Sequence, residues 1–261
     1  MIFTSGPRRD DGLVERDFSL GDIDGVLWTP ASAAAPSPAP LILMGQPGGF
    51  PMERMLPRLR SRARSAGLLG LASVAIEPPG TGSRPPLPGA SEARADLRRV
   101  LAAGGTPGED IIDRLILPLV EQAVPEWQRT MDAVLGLPEI GRRVAISGGV
   151  IAVGARLAAI DPRIVAAGLF AGSYVPRATF DDARRVTVPV HMLLQWDDEG
   201  NDRGMALDLF DAFGSTEKTL LANTGGHTGV PEWAGEDAGR FFARHLRVQG
   251  SATSPSRTTS A

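Results

Sequence analysis

Apolar and polar positions along this chain follow two alternating periods, one typical of strands and the other of helices. Two runs with strand character, Leu13–Leu20 and Ile23–Thr29, flank Gly21-Asp22, a dipeptide that favours a hairpin turn. Leu41–Met44 is a solid apolar run, as expected of a strand that is buried on both faces. The pattern predicts further strands over Leu71–Ile76, Arg143–Ile146, Ile164–Phe170, Pro189–Gln195 and Lys218–Ala222. It predicts helices over Met52–Ala66, residues 91–137 with breaks at Gly104-Gly105 and Pro107-Gly108, Gly149–Ile160, Asp202–Phe213 and Glu236–Val248.

This alternation of strands and helices predicts an α/β fold with a doubly wound, mostly parallel sheet. We expect the N-terminal hairpin to add an antiparallel edge to a single domain over residues 1–249. The helices of residues 91–137 are longer than one crossover needs, so we interpret residues 85–115 as a small helical cap. The Ser/Thr-rich residues 250–261 are expected to be a disordered tail.

Composition and charge limit the classes of partner. The hydrophobic share is 43% and the charged share 22%, both ordinary for a globular protein. The formal net charge of −3 leaves no basic field for nucleic acid or an anionic membrane surface. Arginines in Arg58–Arg64 and at Arg98–Arg99 recur at helical spacing, and we interpret them as solvated helix faces. A small-molecule substrate is therefore the expected partner, and a homodimer is compatible with the sequence.

Several kinds of chemistry lack the residues that they require. The chain contains no cysteine, so thiol nucleophiles and thiolate metal sites are excluded, and a reducing compartment fits. Its three histidines are too scattered for a zinc-binding pair, and neither a dinucleotide fingerprint nor a P-loop is present. The charged N-terminus lacks a secretory core, and no apolar stretch is long enough to span a membrane. The sequence predicts a cytoplasmic protein that needs neither metal nor cofactor.

Chemistry in a doubly wound sheet is expected just after the strands, because ligands bind at the carboxyl ends of the strands. Polar and glycine-rich segments follow the predicted strands at six places: Gln46–Gly49, Glu77–Gly82, Ser147–Val150, Gly172–Tyr174, Trp196–Glu199 and Gly225–His227. The order of a Gly-rich loop, a PPGTG loop, an SGG turn before a helix, a QWDDE loop and a GGH loop resembles the α/β-hydrolase superfamily. Within it, residues 10–248 are similar to bacterial dienelactone-hydrolase-like esterases and peptidases.

The resemblance implies a general base at His227 and an acid partner in the loop Trp196-Asp197-Asp198-Glu199. The base follows the last strand on flexible glycines, whereas His191 lies inside an apolar strand and His245 on the last helix. A carboxylate just past a strand can accept the imidazole N–H and fix its tautomer. We favour Asp198 as that carboxylate and keep Asp197 as the alternative.

The nucleophile is the position where the chain departs from the superfamily. The expected elbow is G-x-S-x-G, and this chain has Ala145-Ile146-Ser147-Gly148-Gly149. With alanine in place of the first glycine, Ser147 is the nucleophile. Counting back from the helix end instead puts Gly148 at that position, and counting forward from the strand start puts Val150 there. Neither of those two residues carries a hydroxyl.

The remaining site residues are implied by the loops around the elbow. The backbone N–H groups of Gly48 and Gly148 are expected to form the oxyanion hole, since Pro47 has no N–H to donate. Six further residues are expected to line the substrate pocket: Gln46, Gly49, Glu77, Tyr174, Trp196 and Trp233.

These residues support three functions. The first is a serine hydrolase that cleaves an ester or lactone of a small to medium hydrophobic molecule through an acyl-enzyme. The second is an isomerase, cyclase or lyase that uses His227 and Asp198 for proton transfer without an acyl-enzyme. The third is a non-catalytic ligand-binding protein. The fold alone does not choose among them.

Overall fold

Ten strands form one mixed sheet in the computed structural model, which describes residues 1–34 and 36–246. The strands are β1 (Ile2–Phe3), β2 (Arg8–Asp10), β3 (Leu13–Leu20), β4 (Ile23–Pro30), β5 (Ala39–Gly45), β6 (Ala72–Ile76), β7 (Ile140–Gly148), β8 (Ile164–Ala171), β9 (Val190–Gln195) and β10 (Lys218–Asn223). The helices are α1 (Met52–Leu68), α2 (Ala90–Ala102), α3 (Glu109–Val134), α4 (Ile151–Ile160), α5 (Arg177–Arg185), α6 (Arg203–Ala212) and α7 (Glu232–Leu246).

The strand order is β1-β3-β4-β6-β5-β7-β8-β9-β10, with β2 paired to the edge of β3. All pairs from β6 to β10 are parallel, whereas β3, β4 and β6 pair antiparallel. Gly21 has a φ of 65° in the turn that joins β3 to β4. The predicted fold class, a mostly parallel sheet with an antiparallel hairpin at its start, is therefore confirmed.

The elements that the sequence pattern missed are short or highly charged. Helix α5 has the sequence RATFDDARR and buries three of its residues, and β2 is the exposed run RRD. A pattern of buried apolar positions cannot reveal segments with so few of them. The predicted break between α2 and α3 is present, and the predicted tail lies outside the described residues.

The sheet separates two hydrophobic cores. Helices α3 and α4 pack on one face of the sheet, against strand side chains such as Ile146. Helices α1 and α7 pack on the other face, against side chains such as Ala145. Successive residues of a strand point to opposite faces, so the end of β7 presents alternate side chains to the two helix layers. This alternation fixes the layer that Ser147 faces, because it follows Ile146 and shares the side of Ala145.

A buried carboxylate fastens α1 to the sheet. Glu15 of β3 accepts hydrogen bonds from the indole of Trp28 at 2.7 Å and from Arg60 of α1 at 2.9 Å. Arg8 donates a further bond at 2.6 Å. The bond from Arg60 is the largest reason why the pKa of Glu15 falls from 4.5 to about 2, with burial opposing it. The bond between Arg60 and Glu15 thereby fixes the rotation of α1 about its axis. Arg60 lies two residues before Arg62 on the same helix.

Helix α1 begins close to the carboxyl end of β5, where the chain passes very near the end of β7. A Cβ atom on Gly45 would lie 2.7 Å from the carbonyl oxygen of Gly148 and 2.8 Å from Cα of Gly149. No side chain fits between the two backbones at this point.

We predict that Glu15→Gln reduces the pH dependence of stability in acid. The folded pKa lies below the unfolded one, so the ionised group stabilises the fold above pH 4.5 and loses this contribution as the pH falls to about 2. Because Arg8 and Arg60 are partly solvated, we expect a loss of about 1–2 kcal/mol at pH 7. Urea unfolding between pH 2 and 7 measures it, with the exposed Asp24→Asn as control. If the variant loses as much stability between pH 7 and pH 2 as the wild type does, Glu15 does not have this role.

We predict that Gly45→Ala lowers the free energy of unfolding by about 1–3 kcal/mol, because the backbones of β5 and β7 must separate. Gly6→Ala is the control, since no atom lies within 4 Å of its added Cβ. Urea unfolding of both variants measures the difference. Equal stability of the two would mean that the strand ends tolerate separation.

Candidate active site

A histidine and an aspartate meet where the sequence analysis expected them. Nδ1 of His227, in the loop between β10 and α7, lies 2.7 Å from Oδ2 of Asp198. The Asp198 side chain is 1% exposed, and that of His227 is 49% exposed. Oδ1 of Asp198 accepts the backbone N–H of Gly200 at 3.0 Å, so both carboxylate oxygens are hydrogen-bonded. The structure thus brings together the two side chains that the sequence analysis paired.

Asp197, the alternative partner, is exposed and serves the histidine loop in another way. Its Oδ2 accepts the backbone N–H of Gly225 at 2.8 Å. Gln195, at the end of β9, donates to the carbonyl of Gly226 at 3.1 Å. Two side chains of the acid strand and loop therefore fix the backbone just before the imidazole.

The ring of Phe170 holds the imidazole from the side. The two ring centroids are 5.2 Å apart at an interplanar angle of 71°, an edge-on contact. Phe170 comes from the end of β8, and Asn201 of the acid loop donates to the carbonyl of Ala171 at 2.7 Å. The sequence analysis did not single out Phe170, because one aromatic residue in an apolar strand gives no sign of its neighbours.

The turn between β7 and α4 contains the candidate nucleophile positions. Ser147 is still part of β7, in register with Met44 of β5 and Gly168 of β8. The chain turns at Gly148 and Gly149, whose φ angles are 67° and 81°. Val150 follows as the residue before α4, without a side-chain cap.

Only one of the two turn glycines has room for a side chain. A Cβ on Gly149 would lie 2.7 Å from Cα of Gly45, whereas a Cβ on Gly148 would first meet Nη2 of Arg62 at 3.2 Å. Gly148 is therefore the turn residue from which a side chain could project above the sheet. This geometry agrees with the sequence register that puts Gly148 at the elbow.

Ser147 is bound by Arg62 of α1. Nη2 of Arg62 donates to Oγ of Ser147 at 2.9 Å and to its carbonyl at 2.8 Å. Among the described residues, no hydrogen bond joins Ser147 to His227. The structure brings His227 and Asp198 together but does not pair Ser147 with them.

The prediction that the arginines of Arg58–Arg64 form solvated helix faces is wrong for Arg62. Its guanidinium is half-buried, and Nη1 also donates to the carbonyl of Gly45 at 3.0 Å. Burial, with the positive charge of Arg58 as a smaller cause, lowers the pKa of Arg62 to about 10. A signal was present in the sequence, because Arg62 continues the helical stripe of Met55, Leu59 and Ala66.

Two cavities meet at His227. One, of about 290 Å³, lies below α2 and α3. Its apolar lining comprises Leu87, Leu115, Ile116, Leu119, Val150 and Phe170. The other, of about 250 Å³, lies between α1 and α7. The polar side chains in its lining are those of Gln46, Arg58, Arg62, Ser147, His191 and His227, and apolar residues line the rest.

The glycine loops border these cavities. Gly48 and Gly49 line the one below α2 and α3, Gly148 lines the one between α1 and α7, and Gly149 lines both. Gln46 is buried and donates from Nε2 to the carbonyl of Ile76 at 3.3 Å. No described residue donates a hydrogen bond to its Oε1.

The other residues predicted to line the pocket lie elsewhere. Glu77 accepts the N–H of Met52 at 3.0 Å, at the start of α1. Trp196 is 41% exposed beneath Arg203, and Trp233 is 49% exposed. Tyr174 lines neither of these two cavities, whereas its neighbours Gly172 and Ser173 line the one below α2 and α3. A tryptophan beside a catalytic loop in sequence can point outward, and both do so here.

Membrane-spanning helices and clusters of metal-binding side chains are both absent from the residues that the structure describes. No helix there has the length and low polarity that a bilayer crossing requires. No group of three or more metal-binding side chains occurs in the same residues.

Proteins similar to this chain are found by comparison of structures and not by comparison of sequences. No protein-family model matches the chain, and no curated protein sequence matches it. A cold-adapted esterase from an Arctic intertidal metagenomic library is 26% identical, with a TM-score of 0.73 over 95% of this chain and 100% of that one.

Two more distant structures have the same fold. The acetyl xylan esterase of Paenibacillus sp. R4 is 20% identical, with a TM-score of 0.63 over 92% of this chain and 88% of that one. A dienelactone hydrolase of Anabaena variabilis is 17% identical, with a TM-score of 0.54 over 92% and 99%. The chain is thus an α/β-hydrolase-fold protein that resembles the dienelactone-hydrolase-like esterases.

Proposed function

We propose that this protein hydrolyses carboxylic esters, with His227 as the general base and Asp198 as the group that orients it. The observation that carries the proposal is the 2.7 Å contact between Nδ1 of His227 and a carboxylate that is almost fully buried. The 26% identity to an esterase over nearly the whole chain supports the same reaction class.

The hydrogen bond to Asp198 determines what the imidazole can do. When the carboxylate accepts the proton on Nδ1, the lone pair of Nε2 is free to take a proton from a nucleophile. The resulting imidazolium is stabilised by the buried negative charge. The exposed half of the ring gives the base access to both cavities.

Backbone N–H groups would hold the oxyanion that forms when the carbonyl is attacked. The sequence analysis named Gly48 and Gly148 for this role. With Gly148 as the turn residue, the donor that follows it is Gly149, and we assign the hole to Gly48 and Gly149. Neither glycine donates to another described residue. The uncapped N-terminus of α4 adds its partial positive charge on the same side.

We infer that the attacking nucleophile is a water molecule deprotonated by His227, rather than Ser147. An acyl-enzyme requires the serine hydroxyl to reach its base, and here Oγ accepts a hydrogen bond from a guanidinium at 2.9 Å. Gly148, where a nucleophile could project, has no side chain. The acyl-enzyme route through Ser147 remains the alternative, and it needs Oγ to exchange Arg62 for His227.

The apolar cavity below α2 and α3 is suited to the hydrophobic part of a small or medium substrate. The α2 helix borders this cavity, in keeping with a cap role for residues 85–115. The missing hydroxyl at Gly148 also favours a second candidate function, a proton-transfer isomerase or lyase that uses the same pair. Products that incorporate solvent oxygen from ¹⁸O water identify hydrolysis.

We predict that His227→Ala lowers kcat/KM for short p-nitrophenyl esters by about 10²–10⁴-fold, the usual contribution of a general base. Its free energy of unfolding should fall by about 1–3 kcal/mol, because Oδ2 of the buried Asp198 loses its hydrogen-bond donor. Asp198→Asn should lose a similar factor in rate, whereas the control Asp197→Asn should lose less than about tenfold. Full turnover by His227→Ala would remove His227 as the base.

We predict that a fluorophosphonate leaves Ser147 unlabelled in active enzyme, and that Ser147→Ala keeps activity within about tenfold of the wild type. The variant should lose about 1–2 kcal/mol of stability from the missing hydrogen bond. Mass spectrometry of the peptide that carries residue 147 and urea unfolding give the two measurements. A labelled Ser147 and a rate loss of several orders of magnitude would establish the acyl-enzyme route instead.

A further inference from the structure

The cavity below α2 and α3 has an apolar lining with one permanent charge. Among the described residues that line it, Arg94 of α2 alone carries such a charge, and His227 is the other ionisable side chain. Arg94 is exposed, so water hydrates its guanidinium while the cavity is open. A ligand that fills the cavity displaces this water, and the charge then acts through a less polar medium.

The guanidinium of Arg94 lies against the glycine loop that follows β5. A Cβ atom on Gly49 would be 2.8 Å from Nη2 and 3.3 Å from Cζ of Arg94. The guanidinium therefore occupies the space that a side chain at position 49 would need. Gly49 directly follows Gly48, whose N–H is assigned to the oxyanion hole, and both glycines border the same cavity as His227.

The donors of Arg94 are not used within the protein. In the part of the chain that the structure describes, its guanidinium forms neither a hydrogen bond nor an ion pair. Asp96 on the same helix accepts from Arg99 at 2.5 Å and from Arg114 at 3.0 Å instead. The planar donors of Arg94 are thus available to a ligand.

The packing of α2 directs Arg94 to the cavity. Ala90 and Ala93 are the buried residues of this helix, and Arg94 follows Ala90 by four positions, so the two side chains share a face. Ala90 lines the cavity together with Arg94. The bond from Arg114 of α3 to Asp96 fastens the same helix to its neighbour.

We propose that Arg94 is a catalytic residue, which donates to the ester oxygen that becomes negative during hydrolysis. This inference rests on the proposed function. As His227 takes a proton from water, the water oxygen bonds to the carbonyl carbon, and the π electrons move onto the carbonyl oxygen. The N–H groups of Gly48 and Gly149 donate to that oxygen, and Arg94 adds a full positive charge. When the carbonyl re-forms, the bond to the alcohol oxygen breaks, and that oxygen takes the proton from the imidazolium.

Kinetics with p-nitrophenyl hexanoate test the role of the charge. We expect Arg94→Gln to lower kcat by about 10–100-fold and to change KM by less than about threefold, because the contact forms only in the transition state. Arg94→Lys should retain more of the rate, since it keeps the charge. Arg98→Gln is the matched control, because Arg98 is exposed one turn further along α2 and does not line the cavity. An unchanged kcat in Arg94→Gln overturns the proposal.

Binding separates a contact with the anion from a role in shaping the cavity. Two unreactive ligands resemble ethyl hexanoate. Ethyl pentylphosphonate is a tetrahedral monoanion, whereas the ketone in which a methylene group replaces the ester oxygen is planar and neutral. By calorimetry, we expect Arg94→Gln to weaken binding of the phosphonate at least about tenfold and that of the ketone less than about twofold. Equal weakening of both ligands would mean that Arg94 only shapes the cavity, and the proposal would be wrong.

Failure of this proposal and failure of the proposed hydrolysis give different results. If the wild type hydrolyses no ester but binds the phosphonate more tightly than the ketone through Arg94, the reaction is wrong and the anion contact stands. If hydrolysis requires His227 and proceeds at the full rate in Arg94→Gln, the reaction stands and the role of Arg94 is wrong.

Discussion

The contact between the backbones of β5 and β7 is the constraint from which the rest of the site follows. Gly45 lies so close to Gly148 and Gly149 that a methyl group would overlap the opposing chain. This contact brings the loop after β5 next to the turn that starts α4, so two separate segments of backbone lie side by side. Arg62 bonds the carbonyls of Gly45 and Ser147 and thereby holds the same two strand ends from below.

The acid and base depend on a second set of fixed loops. Asp198 is buried, and a buried carboxylate is tolerated here because each of its oxygens has a hydrogen-bond donor. Asp197 and Gln195 also hold the histidine loop, because they form hydrogen bonds with the backbone of Gly225 and Gly226. The imidazole of His227 is thus held at the carboxyl ends of the strands, and about half of it stays exposed.

The sequence could predict those features that depend on order along the chain. Buried parallel strands leave long apolar runs, and the residue after each strand must lie at the same sheet edge, so the pairing of His227 with an acid of the 196–199 loop was accessible. Contacts between the helix layers and the sheet could not be predicted from the sequence. Whether Ser147 faces His227 or Arg62 depends on one residue of register in β7, and the sequence left three registers open. Trp196 and Trp233 do not line the two cavities at His227, and the sequence could not show this because it gives no direction for a side chain.

The glycine at the turn and the arginine beneath it form one arrangement rather than two separate departures from a serine hydrolase. A side chain at position 148 would first meet the guanidinium, 3.2 Å from its Cβ, so the cation lies where the side chain of a nucleophile would begin. A side chain introduced there would press on Nη2 of Arg62, so the guanidinium would have to shift by a few tenths of an ångström. A guanidinium in this position offers no electron pair for attack. The proposed hydrolysis therefore takes its attacking atom from solvent, activated by the imidazole of His227.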